Sequence, residues 1–141
     1  MKRTASAVWQ GSLKEGKGAI SSASGVLAET PYSFGMRFAE EKGTNPEELI
    51  AAAHAGCFSM ALSAGLGKAG FTPTRIKTNA TLSLDNVEGG WRITAVKLDV
   101  AARIPQITAD QFLAIAADAK ANCPVSKVLN AEITMEARLE G

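Results

Sequence analysis

The 141-residue chain has the length of one domain, and a chain of that size buries roughly two thirds of its unfolded surface, enough for a core that needs no disulfide. Its 15 Lys and Arg against 14 Asp and Glu leave a formal charge of +1, and no basic run or aromatic-spaced basic stripe marks a nucleic-acid groove. Met1 to Ser6 is charged but lacks the apolar run and small-residue cleavage site of a secretory leader, so the expected compartment is the cytosol. There, the two cysteines serve as buried thiols, metal ligands or redox groups rather than as a permanent staple.

In chain order, Thr4 to Gly11 and Gly18 to Ser22 read as strands around the turn-forming run Lys14-Glu15-Gly16-Lys17-Gly18, which predicts a hairpin. A stretch punctuated by Gly25, Pro31 and Gly35 follows, with Tyr32, Phe34 and Phe38 set around Arg37, too aromatic for a plain linker. Thr44-Asn45-Pro46-Glu47-Glu48 announces a long helix: a capping side chain, a proline suited to the first turn, and carboxylates where the helix dipole favours them. Thr44 and Glu47 stand at capping-box spacing, and Gly67, Gly70 and Pro73 mark the end. Leu49 to Gly67 carries no Asp, Glu, Lys or Arg and is long enough for a membrane span. Its Ala, Gly and Ser content and its one histidine instead predict a helix at the centre of a soluble core.

Ile76, Thr78, Ala80, Leu82 and Leu84 alternate with Lys77, Asn79, Thr81, Ser83 and Asp85, the period of a strand with one wet face. Glu88-Gly89-Gly90 turns the chain, and Trp91 to Val100 returns it, with an apolar phase shift at Ala95 and Val96 that predicts a bulge or sharp twist. A second helix opens at Thr108, with Gln111 at capping-box spacing and Ile107 and Phe112 placed as a staple, and runs to about Ala121. Asn122-Cys123-Pro124 starts a short helical piece to Leu129, and Ile133 to Leu139 alternates as a last strand. The order β-β-α-β-β-α-α-β predicts a single α+β domain over residues 1–141 with antiparallel strands.

Cys57 lies mid-helix in Ala53-His54-Ala55-Gly56-Cys57-Phe58-Ser59-Met60, where a cysteine ordinarily acts as a small buried hydrophobe. Cys123, ahead of Pro124 at a helix start, meets unpaired N–H groups that favour thiolate, or is simply a cap. Were the two helices to pack, the thiols would meet, and a nucleophilic thiol beside a resolving thiol suits a peroxide-reducing cycle. Such a thiolate needs a cation. Arg37 is the candidate by its aromatic surroundings, with Glu47 able to orient it through a bidentate pair. Glu47 and Cys57, ten residues apart on one helix, stand about 15 Å apart along its axis. If both serve one site, either the helix begins later or Glu47 comes from a second subunit. His54 shares a helix face with Cys57, which leaves open a Cys2His zinc site with Cys123 or a cysteine hydrolase. A small apolar-ligand or stress-binding protein with structural cysteines also stays open. Phe34, Phe38, Phe58, Met60 and Phe71 fit an apolar pocket wall and fit core packing equally well.

Pro31-Tyr32-Ser33-Phe34, Arg37-Phe38, Gly43 to Leu62 with its Asn-Pro-Glu-Glu-Leu and Cys-Phe-Ser-Met elements, and Cys123-Pro124-Val125-Ser126-Lys127-Val128-Leu129 together resemble the osmotically inducible protein C (OsmC) family over nearly the whole chain. Its sister group, the organic hydroperoxide resistance proteins, shares these segments. The resemblance implies a thiol peroxidase of organic hydroperoxides in which Cys57 reacts, Cys123 resolves it as a disulfide, and Arg37 and Glu47 fill the family's arginine and glutamate positions. It further implies an intertwined α+β homodimer with long central helices, active sites at the subunit interface, no cofactor, and a dithiol reductant such as dihydrolipoamide. None of the four positions departs from the family pattern; Gly56 and Ser33 differ beside them.

Overall fold

A computed structural model describes all residues, 1–141, and the chain divides into two compact units, Met1–Leu49 and Ile50–Gly141. In the first, β1 (Ala5–Gln10) and β2 (Lys17–Ser22) form the expected antiparallel hairpin, and a short β3 (Thr30–Tyr32), not anticipated from the sequence, extends it on the β2 side. Three residues alternate too briefly to announce a strand. Gly18 of β2 sits where any side chain would collide with the rings of Tyr32 and Trp9, so glycine permits those two aromatics to pack with centroids 5.5 Å apart. A one-turn helix, α1 (Phe34–Phe38), follows, capped by Ser33 accepting from the Met36 N–H. None of the hydrophobic residues in this unit is fully buried within the chain, and Val8, Leu13 and Val26 are exposed.

The long helix, α2, spans Pro46–Lys68. Its cap differs by one residue from the expected Thr44 and Glu47 box. Asn45 Oδ1 accepts from the Glu48 N–H at 2.8 Å, with Pro46 at the first helical position, and Thr44 instead donates to the Glu48 carboxylate at 2.7 Å. The one-residue shift leaves Glu47 free for another partner.

The second unit holds the core. β4 (Arg75–Val87) and β5 (Gly90–Arg103) pair antiparallel, with two residues of β5 advancing for one of β4 so that Thr94 is the extra residue, beside the expected phase shift. After β5, α3 (Ala109–Asn122) opens with the anticipated Thr108 and Gln111 capping box. The single turn α4 (Pro124–Val128) leads into β6 (Glu132–Leu139). β6 pairs with β5 in parallel, the one departure from the antiparallel expectation, because the intervening helices give the long connection that a parallel neighbour requires. Phe58, Leu62 and Leu66 of α2, Val96, Leu98 and Val100 of β5, and Phe112 and Ala116 of α3 form one buried cluster with Cys123.

α2 buries only one ridge. His54, Phe58, Leu62 and Leu66, each four residues on from the last, are fully buried, while Ala52, Ala53, Gly56, Met60, Ser63, Ala64 and Gly67 are exposed. This helix is long and apolar enough to cross a membrane, by length and composition. Within one chain it is therefore not the all-sided core helix expected from its composition, since one uncharged face of it is left uncovered.

Truncating Phe112→Ala is expected to lower unfolding free energy by about 3–5 kcal/mol through the cavity it leaves. Thr108→Ala should cost about 1 kcal/mol through loss of the cap. Both are read from denaturant midpoints at unchanged slope.

Candidate active site

Cys57 and Cys123 are brought together by two local features. Cys57 lies on α2 three residues past the buried His54 and just before Phe58, so it flanks the buried ridge and is only partly exposed. Cys123 ends α3, its N–H bonded to Ala119 at 2.9 Å, and also begins α4, where Pro124 forces the chain to restart. It is fully buried. The two sulfurs are 3.0 Å apart as free thiols, about 1 Å of approach from a disulfide bond.

The two thiols do not titrate alike. Burial pushes the Cys57 thiol up and its hydrogen bond with Cys123 pushes the same way, against a partial opposing pull from the Val125 backbone. Burial also opposes charge on Cys123, but Cys57, the Ser126 backbone and hydroxyl, and the Val125 backbone together outweigh it and lower that thiol. Across the 3.0 Å contact between the two sulfurs, negative charge is therefore favoured on Cys123 over Cys57.

In the first unit, Arg37 and Glu47 form the bidentate pair anticipated for them. Arg37 Nε donates to Glu47 Oε1 and Oε2 at 2.9 and 3.1 Å, and Nη2 donates to Oε1 at 2.6 Å. Asn45 sets this reach: while its Oδ1 caps α2, its Nδ2 donates to the Met36 carbonyl at 3.0 Å and ties α1 to the start of α2. The guanidinium lies 5.0 Å from the Phe38 ring centre, and Phe34 packs on Phe38 at 5.0 Å. Trp9, Leu13, Tyr32, Phe34, Phe38 and Arg37 line an open cleft of roughly 230 Å³.

Of the five aromatic and sulfur side chains weighed for a pocket wall, Phe34 and Phe38 line this cleft. Phe58 is wholly buried and takes the core role, and Phe71 packs against the same core. Met60 is 77% exposed on the uncovered face of α2. Tyr32 was already placed near Arg37 by the sequence, but Trp9 and Leu13 were not singled out; alternation along β1 could have marked Trp9 for a sheet face, and the strand pairing brings it against Tyr32 in the same cleft.

The hydrogen bond of His54 goes to Ser126 rather than to Cys57, and His54 does not gather with the cysteines as a metal-ligand cluster. Its Nε2 lies 2.8 Å from Ser126 Oγ on α4, and its Nδ1 is buried without a partner. Ser126 escaped the reading of single residues, although its place three residues after a helix-starting cysteine is the spacing at which a side chain meets a cap.

An OsmC-like protein family model matches residues 39–138. The chain belongs to the OsmC family. It is 57% identical over 132 residues to the peroxiredoxin OsmC of Escherichia coli, covering 94% of this chain and 92% of that protein. It is 32% identical over 99 residues to the organic hydroperoxide resistance protein OhrA of Bacillus subtilis, 68% of each. The crystal structure of OhrB from Bacillus subtilis superimposes with a TM-score of 0.71 at 25% identity, covering 96% of this chain and 98% of that one. The OsmC family match includes Glu47 and both cysteines, and Arg37 lies just ahead of its first residue.

The chain has one histidine, and burial lowers its titration. The unfolded chain therefore binds a proton at His54 that the folded chain resists, so stability falls as pH drops below the ordinary histidine value of about 6.5. Denaturant midpoints taken between about pH 7 and 5 should show a slope of at most one proton, absent in His54→Gln.

Proposed function

We propose that this OsmC-family chain is a thiol peroxidase that reduces organic hydroperoxides, with Cys57 as the attacking sulfur and Cys123 as the resolving one. The observation that carries this is the approach of two free thiols to 3.0 Å in a chain 57% identical to a peroxiredoxin. The Cys57 thiolate attacks the terminal peroxide oxygen; the O–O bond breaks, the alkoxide takes a proton and leaves as alcohol, and Cys57 becomes sulfenic acid. Cys123 thiolate then attacks that sulfur, the S–S bond forms and hydroxide leaves as water. An external dithiol, of which dihydrolipoamide is the candidate, reduces the disulfide and is itself oxidised. Arg37, held by Glu47, stabilises the thiolate and polarises the peroxide. The aromatic cleft at Arg37 receives an alkyl tail, which favours organic hydroperoxides over hydrogen peroxide.

In this reading, residues 1–141 act as one OsmC-like domain within a cytosolic homodimer, and Arg37 and Glu47 reach Cys57 across the subunit interface. Three observations support it. α2 begins at Pro46, so Glu47 and Cys57 are about 15 Å apart on one continuous helix, and the alternative of a later helix start is closed. Burial raises the Cys57 thiol within the single chain, so a cation from outside it is needed to favour the thiolate. The uncharged outer face of α2 and a first unit with no buried hydrophobic residue both require a cover, and a second copy supplies the same uncharged face in return.

Alkyl hydroperoxide consumption with a dithiol reductant tests the chemistry. Cys57→Ser is expected to abolish it, and Cys123→Ser to give one stoichiometric turnover followed by slow recycling. Arg37→Met should lose about a hundred-fold or more in rate. Turnover that survives alkylation of both thiols would instead favour a binding protein, and metal-dependent or ester turnover indifferent to Cys123 a hydrolase. For assembly, the thermal midpoint should rise with protein concentration, and Met60→Glu on the uncovered helix face should shift sedimentation toward monomer.

A further inference from the structure

The turn that carries Arg37 has no core to hold it. None of the five residues of α1 is buried, so apolar packing does not fix the direction in which the guanidinium points. Polar ties do so instead. Ser33 Oγ accepts from the Met36 N–H at 3.2 Å and donates to Glu41 Oε2 at 3.1 Å. The Gly35 carbonyl accepts from the Ala39 and Glu41 N–H groups at 3.0 and 3.4 Å, and a side chain at Gly35 would collide with the Glu41 carboxylate. These bonds close the turn on the loop just after it, short of α2. Asn45 carries the connection onward, since its Nδ2 donates to the Met36 carbonyl at 3.0 Å while its Oδ1 accepts from the Glu48 N–H at 2.8 Å. The first of these bonds grips the Met36–Arg37 peptide and the second the Glu47–Glu48 peptide. One side chain thus holds the backbone from which each member of the ion pair departs. Flipping the amide would set N–H against N–H and carbonyl against carbonyl, so its orientation is fixed.

We infer that Asn45 is a positioning residue for the Arg37 and Glu47 pair, acting through its amide N–H, and that this role is separable from its capping of α2. The inference rests on the peroxidase reading, in which Arg37 polarises the peroxide. A cap needs only an acceptor, and aspartate or serine caps a helix about as well as asparagine. The donating half of the side chain is therefore surplus to capping, and its bond goes to the peptide ahead of Arg37. An arginine side chain has several rotatable bonds, and the bidentate fork closes only when guanidinium and carboxylate lie in register. With both backbones held, the fork is closed by side-chain rotation alone, and the guanidinium face left free of Glu47 points in one direction. Without the Asn45 N–H, α1 is free to shift relative to the start of α2, and a shift of about 1 Å in a group that must meet a reacting atom is enough to lower the rate strongly.

Three variants separate the two roles. Asn45→Asp keeps the acceptor for Glu48 and removes the donor to Met36, Asn45→Ser does the same with a shorter, uncharged side chain, and Asn45→Ala removes both. Denaturant midpoints should stay near the parent in Asn45→Asp and Asn45→Ser and fall in Asn45→Ala. On rapid mixing with one equivalent of alkyl hydroperoxide, sulfenic acid formation should slow about ten-fold in all three, as misplacement of an electrostatic group implies. Disulfide closure between Cys57 and Cys123 should stay within about two-fold of the parent, because Arg37 has no part in it in this scheme. In an Arg37→Met background, adding Asn45→Asp should cost no further rate. The Arg37 Nε–H, identified in proton–nitrogen spectra by its loss in Arg37→Met, should exchange with water about ten-fold faster in Asn45→Asp as the fork loosens. That readout involves no peroxide, so it decides the positioning even where the parent forms no sulfenic acid, the result under which the peroxidase reading itself fails. Parent-like oxidation rate or parent-like Arg37 Nε–H exchange in Asn45→Asp would overturn the inference. So would a rate that follows stability, with loss in Asn45→Ala alone, or a further loss on top of Arg37→Met. Should Asn45→Ala not fold, Asn45→Asp and Asn45→Ser decide together.

Discussion

The packing of one ridge of α2 against the sheet and α3 governs what this chain can do. His54, Phe58, Leu62 and Leu66 enter the core at four-residue intervals, and that ridge sets the rotation of the whole helix. With the rotation set, Cys57 flanks the buried face, and the break between α3 and α4 delivers Cys123 to it from 66 positions away. Two thiols at 3.0 Å are thus a consequence of hydrophobic packing, which is non-directional, combined with a proline restart, which is not.

The same rotation leaves the opposite face of α2 without charge and without cover. The first unit shares the condition, since it is a three-stranded sheet and one helical turn with exposed Val8, Leu13 and Val26. A small sheet with no buried face is marginal on its own. In the proposed homodimer, self-association would cover both surfaces at once and bring the Arg37 and Glu47 pair to the Cys57 of the second copy.

A division of labour between the two sulfurs follows. Cys57 is partly exposed, and burial together with its contact to Cys123 disfavours charge on it. Cys123 is fully buried with its sulfur 3.0 Å from that of Cys57, and its thiol is shifted down. Peroxidases of this kind need charge on one sulfur before oxidation and on the other after it.

Much of this was legible in the residues alone. The hairpin, the long helix, the β4 and β5 pair and the capping box at Thr108 are each written in local periodicity and turn chemistry, which depend on neighbours within a few positions. The resemblance carried by Asn-Pro-Glu-Glu-Leu, Cys-Phe-Ser-Met and Cys-Pro-Val-Ser pointed to Cys57, Cys123, Arg37 and Glu47 together. The brief β3, the shift of the α2 cap to Asn45 and the parallel pairing of β6 were not legible, because strand partnership and cap choice are settled by competition among contacts distant in sequence. Nor could α2 announce its buried side, since a helix apolar all round has no face that its own pattern distinguishes. The sequence by itself determined the hairpin, the helices and the β4 and β5 pair, and it pointed to the side chains proposed for the reactive chemistry. Only the tertiary structure decided that His54 turns to Ser126 rather than to Cys57, because a buried histidine's role depends on which polar atom the fold brings within 3 Å of its ring.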